Sequence, residues 1–105
     1  MAGKVIIDTN GNVTAKGEIT VKKYNIDISD PDSASFGRAT LKANTSSLTV
    51  NTKAVKGKSG IFLTPRAKTG GQTLVVGSVI DGDSFTVEVE HVVTNNVPFD
   101  WWIVN

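Results

Sequence analysis

Hydrophobic and polar residues alternate with a period of two along most of the chain, and no window keeps apolar residues at the three- and four-residue spacing of a helix. This alternation, in runs rich in Val, Ile, Thr and Phe, predicts β-strands that bury one face. Turn-forming steps such as Asn10-Gly11 and Asp81-Gly82-Asp83 separate the runs. The pattern therefore predicts an all-β protein.

The C-terminal two thirds of the sequence is predicted to consist of short strands joined by connections of hairpin length. Six or seven strands within about 70 residues favour a small antiparallel β-sandwich or barrel. The predicted strands cover residues 36–42, 47–52, 60–66, 73–79, 84–93 and 98–104. We therefore assign residues 34–105 to a sandwich-like head domain.

The N-terminal third is more polar and richer in turns. Short strands are predicted at residues 4–8 and 12–15, and a longer one at 18–28, where a change of phase at Lys22-Lys23 indicates a bulge. Residues 29–33 contain Pro31 and turn formers, which are typical of a linker. We interpret residues 1–33 as a stalk-like segment that is too poor in large apolar residues to form its own core. Its apolar members are expected at a subunit interface: Ile19, Val21, Tyr24 and Ile26.

The last strand carries both tryptophans, side by side. Successive side chains of a strand point to opposite faces, so Trp101 shares a face with Phe99 and Ile103. We predict that these three residues belong to the subunit's own core, together with Phe62 and Phe85. Trp102 and Val104 point the other way and are predicted to contact a neighbouring subunit.

The composition excludes several classes of function. Eleven basic and ten acidic residues leave a net charge of +1, which provides no strong field for nucleic acid. No apolar run reaches the length of a membrane span, so membrane insertion is not expected. The absence of cysteine removes disulfides, thiolate metal sites and a cysteine nucleophile.

The sequence offers little material for catalysis. His91 is the only histidine, and general-base or zinc chemistry requires partners that no motif provides. The pairs Asp30/Asp32 and Asp81/Asp83 lack the ligand spacing of a calcium loop, and turn formation explains them more simply. We predict no catalytic, cofactor or metal site, and a protein that is not an enzyme.

Several blocks of sequence, taken in their order and spacing, resemble the C-terminal β-domain of phage tail-fibre and tailspike-like proteins. Similar domains end some bacterial surface proteins. The resemblance implies a homotrimeric fibre tip that serves attachment or caps the fibre, located on a virion or at a cell surface. The blocks are residues 37–41, 48–52, 54–55, 59–65, 84–87 and 99–104.

Two alternatives remain open at this point. The tryptophan pair suits stacking on a sugar, which would make the chain a binding module for a cell-surface glycan. The N-terminal strands suit a subunit that polymerises by adding a strand to its neighbour's sheet. The sequence leaves open the receptor, the host, the length of the parent protein, and the choice between trimer and filament.

Overall fold

The structure, a computed structural model, describes residues 5–105, which form eight β-strands and no helix. None of these residues forms a helix that is long and apolar enough to cross a membrane. The fold is all-β, as the alternation predicts. The strands are β1 (Val5–Ile7), β2 (Val13–Ala15), β3 (Phe36–Leu41), β4 (Ser47–Asn51), β5 (Gly60–Pro65), β6 (Val75–Ile80), β7 (Ser84–Glu88) and β8 (Val97–Val104).

Two antiparallel three-stranded sheets form a small β-sandwich. One sheet has the order β3-β8-β5 and the other has the order β4-β7-β6. The strands β6 and β7 form a hairpin at Asp81-Gly82-Asp83, where Gly82 adopts a φ of 67° that a side chain would disfavour. The chain crosses between the two sheets four times, after β3, β4, β5 and β7.

The core lies between the two sheets. Its largest fully buried side chains are Phe85 and Phe99, and Trp101 and Ile103 are each only 4% exposed. The rings of Phe85 and Trp101 meet edge to face at 5.6 Å, which joins the two sheets through one aromatic pair. The other buried apolar residues of the cluster are Leu41, Val50, Val55, Val87, Val89, Val93 and Val97.

Phe62 does not belong to this core, and the prediction that placed it there is wrong. Its side chain is 57% exposed. On β5 the inward phase belongs to Ile61 and Leu63, which pack against the core. Phe62 lies between them in sequence and therefore points away from the core.

The N-terminal region forms a separate two-stranded sheet. β1 and β2 pair antiparallel across a turn in which Asp8 accepts hydrogen bonds from the backbone amides of Asn10 and Asn12. Residue 4, with which the first predicted strand begins, lies outside the described residues. The predicted strand at residues 18–28 is not found, because this segment has no pairing partner within the described chain.

One predicted strand of the sandwich is shorter in the structure. β7 ends at Glu88, whereas the alternation extends the prediction to Val93. The chain turns away after Val89, and Val93 returns to donate a backbone hydrogen bond to Thr45. Val89 and Val93 are both buried. The apolar alternation of the sequence therefore extends beyond the end of the strand.

Candidate interaction face

The outer side of the β3-β8-β5 sheet presents a row of aromatic residues. Phe36, Trp102 and Phe62 are direct cross-strand partners, so their side chains share one face of the sheet. The rings of Phe62 and Trp102 lie 5.7 Å apart and are tilted by 38°. Val104, at the end of β8, adds another apolar side chain to this face of the sheet. We call Phe36, Phe62, Trp102 and Val104 the aromatic face.

The aromatic face is open to solvent although it is strongly apolar. Phe62, Trp102 and Val104 are each more than 40% exposed. A shallow pocket of about 190 Å³ lies beside them, with Thr64 and Asp100 on its polar side. Adjacent exposed aromatic side chains suit a surface that contacts another molecule.

A charged cluster stands in the next rows of the same sheet. Nε of Arg38 donates a 2.7 Å hydrogen bond to Oδ1 of Asp100, and Nη1 of Arg66 donates a 3.3 Å hydrogen bond to Oδ2. The hydrogen bond from Arg38 is the main cause that lowers the pKa of Asp100, and the charges of both arginines act in the same direction. Asp100 in turn raises the pKa of Arg38. Two guanidinium groups share one carboxylate, so the cluster keeps one net positive charge.

The two tryptophans lie on opposite sides of the sheet. Trp101 is buried between the sheets, whereas Trp102 belongs to the exposed aromatic face. Phe99 and Ile103 accompany Trp101 inside, and Val104 accompanies Trp102 outside. What Trp102 and Val104 contact in an assembly stays a prediction.

The apolar residues expected at an interface in the N-terminal third are also accessible. Ile19, Val21 and Tyr24 are more than half exposed, and Ile26 is half-buried. Tyr24 and Ile26 lie near Phe36, where they line a second shallow pocket of about 220 Å³. This pocket brings the N-terminal segment to the border of the aromatic face.

His91 lies in the loop between β7 and β8, and the pocket it lines contains no residue of the aromatic face. Its side chain is exposed, and its backbone N–H donates a 2.7 Å hydrogen bond to Oε1 of Gln72. Glu88 and Glu90 line the same open pocket. Among residues 5–105, no three His, Cys, Asp or Glu side chains lie close enough together to hold a metal ion.

The acidic pairs of the sequence take part in turns. Asp30 accepts hydrogen bonds from the backbone N–H of Asp32 and from the hydroxyl of Ser33. Asp81 accepts the backbone N–H of Gly57, which ties two loops together. These carboxylates therefore have local structural partners that account for their positions.

No pattern in the sequence predicts the cluster of Arg38, Asp100 and Arg66. These residues lie on three different strands, and they meet only because β8 pairs with β3 on one side and with β5 on the other. Predicting this cluster requires the order of the strands in the sheet.

The structure defines the chain as a small antiparallel β-sandwich domain with an exposed aromatic face. Residues 33–104 match the family described as K1 capsule-specific polysaccharide lyase, C-terminal domain, and the chain belongs to that family. This membership agrees at a coarse level with the resemblance to tail-fibre and tailspike-like proteins. No curated protein and no solved structure matches the chain significantly.

Proposed function

We propose that the chain is a non-enzymatic assembly and attachment module, which forms the homotrimeric tip of a tailspike-like fibre on a virion. The family supports a tailspike-type domain, and its description as a C-terminal domain fits a terminal position. The observation that carries the proposal is the aromatic face, because Trp102, Phe62 and Val104 expose apolar surface that a single sandwich leaves uncovered.

A second subunit would bury that surface. Removing apolar area from water is worth roughly 25 cal/mol per Å², and aromatic residues are enriched at the centres of interfaces. The exposed side chains of Ile19, Val21 and Tyr24 in the N-terminal segment form a second apolar surface that contact with other copies would cover. The trimer is thus supported by two exposed apolar regions of the same chain.

Light scattering coupled to size-exclusion chromatography tests the assembly and its contact surface. We expect the wild-type chain to have three times the subunit mass of 11.1 kDa, and Trp102→Ala to shift it toward the monomer. Ile80→Ala is the matched control, since Ile80 is similarly exposed but lies on β6 of the other sheet. If the trimer stays intact in Trp102→Ala as well as in Ile80→Ala, the role of the aromatic face is contradicted.

A glycan-binding role is the second candidate, and the charged cluster favours it. Aromatic rings can stack on the apolar face of a sugar, and the neighbouring guanidinium groups of Arg38 and Arg66 retain free N–H donors that suit a carboxylate. The residual positive charge selects for an acidic sugar. The family's name refers to a polysaccharide lyase, which agrees with a glycan as ligand.

The accessibility of Trp102 separates the two candidates. Trp101 is only 4% exposed, so quenching of tryptophan fluorescence by iodide reports mainly on Trp102. A trimer that uses the aromatic face protects the fluorescence, and the protection is lost on dilution. If the face is a glycan site, iodide quenches the fluorescence strongly. An acidic oligosaccharide then suppresses the quenching, whereas a neutral oligosaccharide does not.

A further inference from the structure

An apolar groove runs along one side of the sandwich, between the neighbouring edge strands β3 and β4. Its volume is about 610 Å³. Most of its lining is apolar, and Trp101 reaches its floor from the core. The apolar residues that line it are Ile28, Phe36, Ala39, Leu48, Val50 and Trp101.

The backbone of β3 is free to accept another strand on this side. Ile103 donates a backbone hydrogen bond to Ser35, and in an antiparallel pair every second residue bonds to the same partner. The backbone groups of Phe36, Arg38 and Thr40 therefore point away from β8. Within the described chain β3 pairs with β8 alone.

The edge of β4 has the same property. Val89 donates to Ser46 and Thr52 donates to Asp83, which defines the residues that face β7. The alternate residues Ser47, Thr49 and Asn51 turn their backbone groups away from β7. Each wall of the groove is thus an unpaired strand edge, and such edges pair readily with an extended segment.

Among the described residues, one segment with the sequence pattern of a strand has no pairing partner. Residues 19–28 alternate apolar and polar side chains in two successive phases, yet they form no strand. Four of their apolar residues are more than half exposed: Ile19, Val21, Tyr24 and Ile28. The molecule therefore has both an unfilled groove and an unpaired segment with the pattern of a strand.

The segment does not fill the groove of its own chain. The following linker is anchored to the end of β4, where Lys53 donates to the carbonyl of Asp32 and Thr52 donates to that of Ala34. Only Ile28, at the end of the segment, reaches the groove. The molecule measures 57 Å in its longest dimension, against 28 and 24 Å in the others.

We propose that residues 19–28 of one copy enter the groove between β3 and β4 of a neighbouring copy and add a strand there. This inference rests on the proposed self-assembly and adds a second contact to that of the aromatic face. An unfolded chain exposes about 1.45 Å² per dalton, so ten residues of about 1.1 kDa expose about 1,600 Å². Covering half of it buries about 800 Å², which is the share of each partner in a standard interface.

The contact is heterologous, because each copy offers one segment and one groove. Such contacts form a closed ring when the rotation between copies closes, and an open filament when it does not. A ring of three gives the trimer of the proposed function. The same contact also accounts for the alternative of polymerisation by strand addition.

Paired cysteines in the full chain test this exchange, since the wild type contains no cysteine. One cysteine replaces Asn25 or Ile26, which covers both faces of the segment, and the second replaces Thr49 at the groove. We expect oxidation of at least one of the two variants to link most chains into disulfide-bonded dimers and trimers on a non-reducing gel. The control pairs the same segment cysteine with Val75→Cys on β6, at the opposite edge of its sheet, and should stay unlinked.

Light scattering on the same samples separates the possible failures. A trimer whose chains stay unlinked, or link only within themselves, overturns the strand exchange and leaves the homotrimer standing. Linked ladders longer than three chains support the exchange and overturn the trimer. A monomeric mass without intermolecular links overturns both.

Discussion

The indole of Trp101 lies directly against the backbone of Gly37, its cross-strand partner on β3. A Cβ atom on Gly37 would stand 2.6 Å from Cζ2 of Trp101 and 2.8 Å from Cε2. Because Gly37 has no side chain, the indole of Trp101 can lie against β3. The same indole also contacts the ring of Phe85 in the opposite sheet.

Gly37→Ala is expected to lower the free energy of unfolding by about 1–3 kcal/mol, the usual cost of overpacking a core. Urea denaturation followed by circular dichroism measures it. Gly57→Ala is the matched control, because no atom lies within 4 Å of a Cβ placed there. Combining Gly37→Ala with Trp101→Phe should recover part of the loss, since the smaller ring leaves room for the methyl group. Equal stabilities of Gly37→Ala and Gly57→Ala would contradict the packing described.

The two tryptophans should respond differently to protein concentration. Trp101→Ala empties the core of a subunit and is expected to cost about 3–5 kcal/mol at every concentration. Trp102→Ala removes a partly exposed side chain, so it should cost about 1 kcal/mol at high dilution and more where subunits assemble. Urea unfolding at two widely separated concentrations measures both. A cost of Trp102→Ala that does not change with concentration would argue against its burial by a neighbour.

Thr52 secures the start of the sandwich through its buried hydroxyl. Oγ1 donates a 2.7 Å hydrogen bond to the carbonyl of Ala34 and accepts one from the backbone N–H of Ala54. Thr52→Val keeps the shape but leaves both groups without this partner, so we expect a loss of about 1–3 kcal/mol. Hydrogen exchange of the Ala54 amide should accelerate in Thr52→Val and stay slow in Thr52→Ser, which retains the hydroxyl. Unchanged exchange in Thr52→Val would contradict this role.

The cluster around Asp100 predicts a contribution to acid sensitivity. Because its pKa is lower in the folded than in the unfolded chain, the ionised carboxylate stabilises the fold above about pH 4, the usual range for Asp. That stability is lost as the pH falls from about 4 through the folded pKa. Asp100→Asn should therefore reduce the decline of the thermal midpoint below pH 4. Parallel declines in the variant and the wild type would contradict the prediction.

The sequence predicts burial best where the alternation along a single strand is sufficient. Alternation along β8 correctly separates Phe99, Trp101 and Ile103, which are buried, from Trp102 and Val104, which are exposed. The prediction for Phe62 is wrong because Ile61 and Leu63, its neighbours on β5, occupy the inward face of that strand. The information needed was present in the pattern.

Features that depend on strand pairing could not be predicted in this way. The contact of Gly37 with Trp101 and the pairing of Arg38 with Asp100 both require the register of β3 on β8, which alternation does not determine. Residues 18–28 show the converse case. Their alternation is strand-like, but a strand requires a hydrogen-bonding partner, and residues 5–105 provide none.

Self-assembly through surfaces that the single chain leaves open is the central claim. Sedimentation equilibrium of the wild-type chain at micromolar concentration tests it most directly, because the mass it gives does not depend on molecular shape. The account predicts three times the subunit mass of 11.1 kDa, with dissociation at lower concentration. A single species of 11.1 kDa throughout the micromolar range would contradict it.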